Sequence, residues 1–168
     1  MIDYPYLPIG REIRLVKPDH PHMQAAKAAA RELSTEHQHP TGAVVVLGEE
    51  IIAREANQAA IRSSYLRARH ADGWCTRRIL KIPSGQKYWL CPGCSTHHQH
   101  AESRAARAAS MVGRDLSAAR LYLWGHWWCC APCWQAILDA GIGEVCLTEG
   151  GHILFNRKHP DNQIGRWS

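Results

Sequence analysis

The chain has 168 residues, of which 45% are hydrophobic and 21% are charged. This length and balance predict one globular domain, residues 1–168, with enough chain to bury a core. The first residues show no basic start followed by an apolar run, and no segment approaches about 18 consecutive apolar residues. We therefore expect no signal peptide and no membrane span, and we expect a cytoplasmic protein.

The net charge of +5 is unevenly distributed along the chain. Residues 62–114 contain ten Lys and Arg residues against two acidic ones, a local net charge of +8. A basic segment of this kind is typical of proteins that bind phosphate groups or nucleic acid. A solvated basic face explains it equally well.

The first half of the chain predicts a helix followed by a hairpin. Residues 1–17 are interpreted as an irregular lead-in, and an alanine-rich run predicts a helix over about 20–34, with Asp19 or His20 near its cap. The β-branched run 43–47 predicts a buried strand, and residues 51–56 predict its partner.

The second half begins with an irregular stretch and then becomes regular. Residues 57–70 fit a helix or a loop, and residues 71–99 show no period, which inside a domain is typical of a functional or metal-bound insertion. The remaining predicted elements are helices at about 101–112 and 131–140 and strands at 121–124, 144–148 and 152–155. This order predicts a three-layer α/β fold.

A hydrolytic zinc site is predicted where two of these helices begin. Cys130 and Cys133 are three residues apart at a helix start, so they face the same way, and the helix dipole favours their thiolates. His100, at the start of the other helix, supplies a third ligand. Three protein ligands leave a fourth position for water, which is typical of catalytic zinc. A purely structural zinc is the alternative.

Glu102 is the predicted proton shuttle of this site. It shares a helix face with Ala106 and Ala109, so we expect it to point toward the interior. By the same helical geometry, Arg104 and Arg107 should point away from it.

The combination of His-x-Glu with a later Cys-x-x-Cys resembles the cytidine deaminase superfamily, and more narrowly its deoxycytidylate deaminase branch. The resemblance extends from the first predicted helix to about Leu147. It implies a three-layer α-β-α fold with a mixed sheet of about five strands. It also implies the zinc ligands His100, Cys130 and Cys133 and the acid/base residue Glu102.

The resemblance also implies where a substrate would bind. Asn57 matches the asparagine that contacts the sugar, Ala43 lies in the first strand next to its entry loop, and Ala101 lines the base pocket. Trp127 and Trp128 offer a stacking surface for a base, although packing in the core or at a subunit contact fits them as well.

Two positions depart from the family pattern. Cys129 stands where a proline usually precedes the first ligand cysteine, so Cys129 competes with Cys130, and the Cys-x-x-Cys spacing selects Cys130. Arg104 stands where deoxycytidylate deaminases usually carry an asparagine.

A second, structural zinc is predicted in the irregular stretch, around the zinc-knuckle-like turn between two cysteines. Its predicted ligands are Cys75, Cys91, Cys94 and His98, with His97 as the alternative and His70 in reserve. A pair of reduced cysteines in a flexible insertion is the competing interpretation.

Three functions are compatible with these observations. The first is zinc-dependent hydrolytic deamination of a cytosine nucleotide, dCMP to dUMP with release of ammonia, with Arg62, Arg67 and Lys87 as candidate phosphate contacts. The second is deamination of a base within tRNA or single-stranded nucleic acid. The third is a non-catalytic, zinc-stapled domain that binds nucleotide or nucleic acid. The resemblance further implies a homo-oligomer.

Overall fold

The computed structural model describes residues 2–83 and 86–164, and in that part the strands form one mixed sheet. The strands are β1 (Ile13–Val16), β2 (Gly42–Leu47), β3 (Glu50–Ala56), β4 (Arg120–Trp124) and β5 (Glu144–Thr148). Their order is β1-β5-β4-β2-β3. β2 is antiparallel to β3 and β4, whereas β5 is parallel to β4 and β1.

Six helices accompany the sheet in the described residues. They are α1 (Pro21–Leu33), α2 (Ser64–Ala71), α3 (Thr76–Ile79), α4 (Ala101–Ser110), α5 (Ala131–Asp139) and α6 (Gly151–Leu154). His20 is the N-cap of α1, and its Nδ1 accepts a hydrogen bond from the backbone N–H of His22. Among the described helices, none has the length and apolar character needed to cross a membrane.

Alternate residues of the strands face two separate cores. Val45 and Leu123 lie in the core that α4 and α5 cover, whereas Val44 and Tyr122 pack with Met23 of α1 on the opposite face. Side chains of a strand alternate between its faces, so each strand contributes to both cores. This arrangement confirms the predicted three-layer α/β fold with a mixed five-stranded sheet.

Gly42 allows α1 to approach the sheet closely. A Cβ at this position would overlap the carbonyl oxygen of Ala26 and the backbone nitrogen of Ala30. Glycine at the start of β2 therefore sets the distance between the first helix and the central strands.

Two predictions about the ends of the chain were wrong. Residues 13–16 form β1 and are not irregular; Ile13 pairs with Val145 in a parallel register. Residues 152–155, predicted to be a strand, lie in and just after α6. Gly150 adopts a φ of 73°, and its carbonyl oxygen accepts hydrogen bonds from the next turn, which starts the helix.

The stretch between the hairpin and α4 contains only short elements. α2 begins after Ser63, whose hydroxyl accepts a hydrogen bond from the backbone of Leu66. Beyond α3 the described chain forms single 3₁₀ turns at Tyr88–Leu90 and His97–Gln99. Little regular structure orders the described part of residues 57–100, which we call the insertion from here on, so other interactions have to stabilise it.

Candidate metal centres and active site

The first metal-ligand cluster lies where α4 and α5 begin side by side. His100 is the N-cap of α4, Cys130 is the N-cap of α5, and Cys133 lies one turn into α5. His100 Nδ1 is 3.3 Å from Cys133 Sγ and 3.8 Å from Cys130 Sγ, and the two sulfurs are 3.0 Å apart. We call these three residues the open cluster.

The protonation of the two thiols suits a metal site. The Cys133 thiol lowers the pKa of Cys130 to about 5, helped by His100, and the pKa of Cys133 is raised in turn. The two sulfurs therefore share one proton. Both helix N-termini lack a side-chain cap, so their backbone dipoles also favour negative charge here.

The ring of His100 is held in one orientation. Its Nδ1 faces the two sulfurs, and the ring lies beside the backbone of Ser95. A backbone group beside the remote nitrogen of a histidine is a common support of a metal ligand.

The structure distinguishes Cys130 from its neighbour Cys129. Cys129 is fully buried in the core beneath α4 and α5, and burial raises the pKa of its thiol well above the usual range. Cys130 is the one whose sulfur meets His100 and Cys133. The geometry therefore agrees with the choice made from the Cys-x-x-Cys spacing.

Glu102 is placed as a proton shuttle would be. It is 5% exposed and lies on the buried face of α4 with Ala106 and Ala109, as predicted. Its carboxylate has no hydrogen-bond partner among the described residues and it lines the same cavity as His100 and Cys130. A carboxylate kept out of bulk water and free of partners is available to exchange protons.

Arg104 and Arg107 point away from Glu102, as predicted. Arg104 donates to Glu55 at 2.6 and 3.0 Å and to Gln99. Arg107 donates to the backbone carbonyl of His98. Neither arginine lines the cavity, so the arginine that replaces the family's asparagine is tied to β3 and not to the site.

The open cluster fits a catalytic zinc ion. One imidazole and two thiols are a known donor set for catalytic zinc, and no fourth donor joins them among residues 2–83 and 86–164. The sulfur separation of 3.0 Å is far from the disulfide length of about 2.05 Å, so both thiols are free to bind a metal.

The second metal-ligand cluster lies in the insertion and has four members. They are His70, Cys75, Cys91 and Cys94, and their ligand atoms all lie within 4.8 Å of one another. Cys94 Sγ is 3.5 Å from Cys75 Sγ and 3.6 Å from His70 Nε2. Zinc bonds of about 2.0–2.3 Å place the corners of a tetrahedron roughly 3.5–3.8 Å apart, so these donors fit zinc. We call these residues the closed cluster.

The structure corrects the fourth ligand of this cluster. His70, held in reserve at first, completes it, whereas His98 and His97 lie outside it with their rings 4.0 Å apart. Gly93 makes room for the His70 ring, because a Cβ at that position would overlap ring carbons Cγ and Cδ2. The fourth donor therefore comes from α2, upstream of all three cysteines.

The turn around Cys91 favours ionisation of its thiol. Burial alone would raise the pKa of Cys91, but hydrogen bonds from the backbone of Gly93, Thr76 and Cys94 outweigh it and lower the pKa. Burial raises the pKa of Cys94 to about 12. The cluster thus places a thiol whose ionisation is favoured beside one whose ionisation is disfavoured, and a divalent cation stabilises the thiolate form of both.

One cavity of about 190 Å³ reaches both clusters. Of the residues predicted to contact the substrate, Asn57, Ala101 and Trp128 line it. Ala43 and Trp127 do not line it: Ala43 is fully buried in the core, and Trp127 stacks on Tyr4 at a ring distance of 6.4 Å. Their contacts with a substrate stay predictions.

Asn57 also organises the loop in front of the cavity. Its Oδ1 accepts hydrogen bonds from Ser34 Oγ at 2.6 Å and from the backbone of Thr41 at 3.0 Å, and its Nδ2 donates to the carbonyl of His39. These bonds hold the segment from α1 to β2 in place. A direct contact between Asn57 and a sugar stays a prediction.

Two histidines of the cavity had no sequence signal. The rings of His39 and His126 stack with centroids 5.3 Å apart, and His39 Nε2 lies 2.5 Å from the carbonyl oxygen of Gly125. Burial lowers the pKa of both rings, that of His126 to about 4, so they are neutral near pH 7. Neither belongs to a motif, and only the fold brings them together.

The three candidate phosphate contacts do not line the cavity. Arg67 donates to the carbonyls of Ile61 and Arg62 within the insertion, while Arg62 and Lys87 are exposed elsewhere. The cavity instead contains Arg77, Arg78 and Arg157.

A family model described as the cytidine and deoxycytidylate deaminase zinc-binding region matches residues 16–149. A search of curated proteins found no match to the chain. The family match runs from the end of β1 past β5 and contains both clusters and Glu102. Because it covers well over half of the 168 residues and coincides with a zinc-type cluster beside a buried glutamate, the chain belongs to the cytidine and deoxycytidylate deaminase family of zinc-dependent deaminases.

Proposed function

We propose that the protein hydrolyses the exocyclic amine of a cytosine nucleotide, converting dCMP and water to dUMP and ammonia. The observation that carries this proposal is the open cluster: three zinc donors with no fourth among the described residues, beside the buried carboxylate of Glu102 in one cavity. The choice of dCMP rests on the resemblance to deoxycytidylate deaminases and on the positive charge of the surrounding segment.

In this mechanism the open cluster binds the metal and Glu102 moves the protons. Zinc, when bound, lowers the pKa of a coordinated water toward about 7. Glu102 accepts a proton from the attacking water and delivers it to ring nitrogen N3 of the base. It then carries the second proton to the departing amine, which leaves as ammonia.

The walls of the cavity orient the base. Ala101, next to His100, is fully buried and leaves room for a flat ring, and Trp128 offers an aromatic face for stacking. His126 accepts a hydrogen bond from the backbone of Trp128 through Nδ1, so its Nε2 carries the proton and can donate to the substrate. These contacts favour a planar, hydrogen-bonding substrate.

We also propose that the closed cluster binds a second, structural zinc. Four donors at tetrahedral spacing leave no position for water, which is typical of a structural site. Elemental analysis of the purified protein is expected to give two zinc ions per chain. A value of one, retained when a closed-cluster cysteine is replaced, would contradict this assignment.

The test of the proposed function is an ammonia-release assay on one preparation. Cytosine, adenine and guanine nucleosides, nucleotides and oligonucleotides are compared side by side. We expect turnover of dCMP to exceed that of every adenine and guanine compound. Turnover of an adenine substrate alone would contradict the choice of base, and no turnover of any substrate would contradict the enzyme assignment.

A second candidate function is deamination of a base within single-stranded nucleic acid or tRNA. It is favoured by Trp128 at the cavity and by the net charge of +8 over residues 62–114. Such a substrate releases counterions from several phosphates, so its binding should weaken steeply with salt. A mononucleotide should show a shallow dependence, and the two slopes separate the candidates.

A further inference from the structure

Two arginines that line the cavity make no side-chain contact in the described chain that would stabilise the fold. Arg78 lies on α3 and Arg157 lies three residues beyond α6, and both side chains are exposed where they line the cavity. Within the described chain, neither has a hydrogen bond or an ion pair, and no carboxylate oxygen lies within 4.0 Å of either. A guanidinium has five donors, so a pair left without acceptors at a cavity wall is unusual.

Their neighbour Arg77, by contrast, has a structural role. Arg77 is buried, donates to the carbonyls of Gln86 and Pro83 at 2.9 Å, and packs over the ring of Tyr88. Four other arginines are paired with carboxylates, whereas the exposed Arg62, outside the cavity, has no carboxylate partner in the described chain. These pairs are Arg54 with Glu32, Arg104 with Glu55, Arg114 with Glu50 and Arg120 with Glu144. Arg78 and Arg157 differ from both groups.

More arginines than acidic residues line the cavity. Apart from Glu102, the only acidic residue that lines it in the described chain is Glu36, which is 7% exposed and contacts His70 at 3.7 Å. Partial desolvation at the cavity wall lowers the pKa of Arg157, the Glu36 carboxylate opposes this shift, and the nearby charge of Arg78 lowers the pKa further. Two like charges that face one space favour an anion between them.

A buried hydroxyl adds a third donor without a partner. Ser95 is 5% exposed and lines the cavity, and its Oγ has no hydrogen-bond partner among the described residues. Its backbone lies beside the His100 ring, so this residue is placed between the open cluster and the arginine side of the cavity. A ligand with several acceptor oxygens would satisfy this donor as well as the guanidinium groups.

We propose that Arg78 and Arg157 form an anion clamp that binds the terminal phosphate of a mononucleotide substrate. The proposal rests on the deaminase function proposed above and names the part of the substrate that this side of the cavity takes. Guanidinium groups match phosphate oxygens in pairs, which a lysine or a neutral donor does not. The clamp would therefore distinguish nucleotides from nucleosides that carry the same base.

The experiment compares dCMP with deoxycytidine in the full-length, zinc-loaded protein. The variants are Arg78→Gln, Arg157→Gln and the matched control Arg62→Gln, which removes the same charge from an exposed site outside the cavity. Each clamp variant should lower the ratio of kcat/KM for dCMP over deoxycytidine by about 10- to 100-fold, the loss of one charge-assisted contact. The control should change the ratio by less than about twofold.

A binding measurement tests the anion clamp independently of the proposed deaminase activity. Calorimetry of dCMP and of inorganic phosphate on the same variants does not require turnover. Weaker dCMP binding by both clamp variants supports the clamp even if no ammonia is released, and in that case only the deaminase proposal fails.

Three results would overturn the clamp. The first is an unchanged dCMP-to-deoxycytidine ratio in both clamp variants at unaltered melting temperature. The second is equal loss in Arg62→Gln, which would indicate a general charge effect. The third is a preference for an oligonucleotide over dCMP that both variants leave intact. Arg157→Lys, which retains the charge, should recover part of the ratio but not all of it.

Discussion

The open and closed clusters use similar donors in different settings. The open cluster takes its three residues from the first turns of α4 and α5, two helices that pack against the main sheet. The closed cluster takes its four residues from an insertion whose described helices are short, and its cysteines form a small buried group of their own with Tyr88. A fourth protein donor occupies the coordination position that water takes in a three-donor site. The closed cluster therefore suits a structural metal and the open cluster a catalytic one.

The difference predicts what a metal in each cluster would contribute. The sheet and its helices hold the open cluster, so we expect the fold to survive without its metal. The described part of the insertion has only a small cluster of its own, so the binding energy of the proposed structural zinc would also be folding energy for that region. Both clusters reach one cavity, and the insertion forms the wall that carries Arg77 and Arg78.

The largest expected effect concerns Glu102. Glu102→Gln keeps the shape of the side chain but removes proton transfer, so ammonia release should fall by about a thousandfold or more. Zinc content should stay at the wild-type value, because Glu102 is not a member of the open cluster. Activity within tenfold of wild type would show that another group moves the proton.

The two adjacent cysteines allow a sharper test of the open cluster. Cys130→Ser should lose the metal of the open cluster and all detectable turnover, while the metal of the closed cluster remains. Cys129→Ala should retain both metals and lower the free energy of unfolding by about 1 kcal/mol, since it only removes packing in the core. Elemental analysis and denaturant unfolding measure the two outcomes, and the reverse pattern would make Cys129 the ligand.

Breaking the closed cluster should affect stability more than chemistry. Cys75→Ser should reduce the metal content by one ion and lower the melting temperature by about 10 °C, on the order of 3–4 kcal/mol. His98→Ala is the matched control, because His98 lies outside the cluster and should leave the metal content unchanged. Loss of a metal in His98→Ala would instead support the ligand expected from the sequence.

A smaller effect is expected at Gly93. The methyl group of Gly93→Ala would overlap the His70 ring, so the histidine has to move and the affinity of the closed cluster for zinc should fall. We expect a destabilisation of about 1–3 kcal/mol, as for other overpacked sites. Gly151→Ala, where the added methyl meets atoms at an ordinary 3.6 Å, is the control. Equal zinc affinity in both variants, measured by chelator competition, would contradict the contact.

The smallest effect is the pH dependence set by His126. Its pKa is about 4 in the folded protein and 6.5 in the unfolded chain, mainly because burial disfavours the charged ring. Below pH 6.5 the unfolded chain takes up a proton that the folded protein does not, so stability falls as the pH drops toward 4. His126→Gln should weaken this dependence between pH 7 and 5. An identical slope in both proteins would show that the ring is solvated.

The parts of the molecule that follow local rules could be predicted from the sequence. The alanine-rich runs gave α1, α4 and α5 to within a few residues, and the β-branched runs gave the central strands. The open cluster was also predictable, because its donors sit at motif spacings on helix starts.

The parts that depend on distant contacts were not. β1 has four residues and pairs with a strand about 130 positions away, so no local pattern marks it. His70 joins the closed cluster only because α2 folds back over Gly93, and its distance from the cysteines along the chain matches no motif. Arg157 belongs to no pattern at all; only the fold brings the region after α6 to the cavity.

The spacing of the ligands along the chain has a consequence for assembly. The donors of the closed cluster fall within residues 70–94, whereas those of the open cluster span residues 100–133 and meet only after β4 has joined the sheet between them. Closing the shorter, more local loop costs less entropy and needs no sheet. We therefore expect the insertion to capture its ion before the second half of the chain has folded. A nascent chain stopped near residue 115 should already protect its cysteines from alkylation when zinc is present.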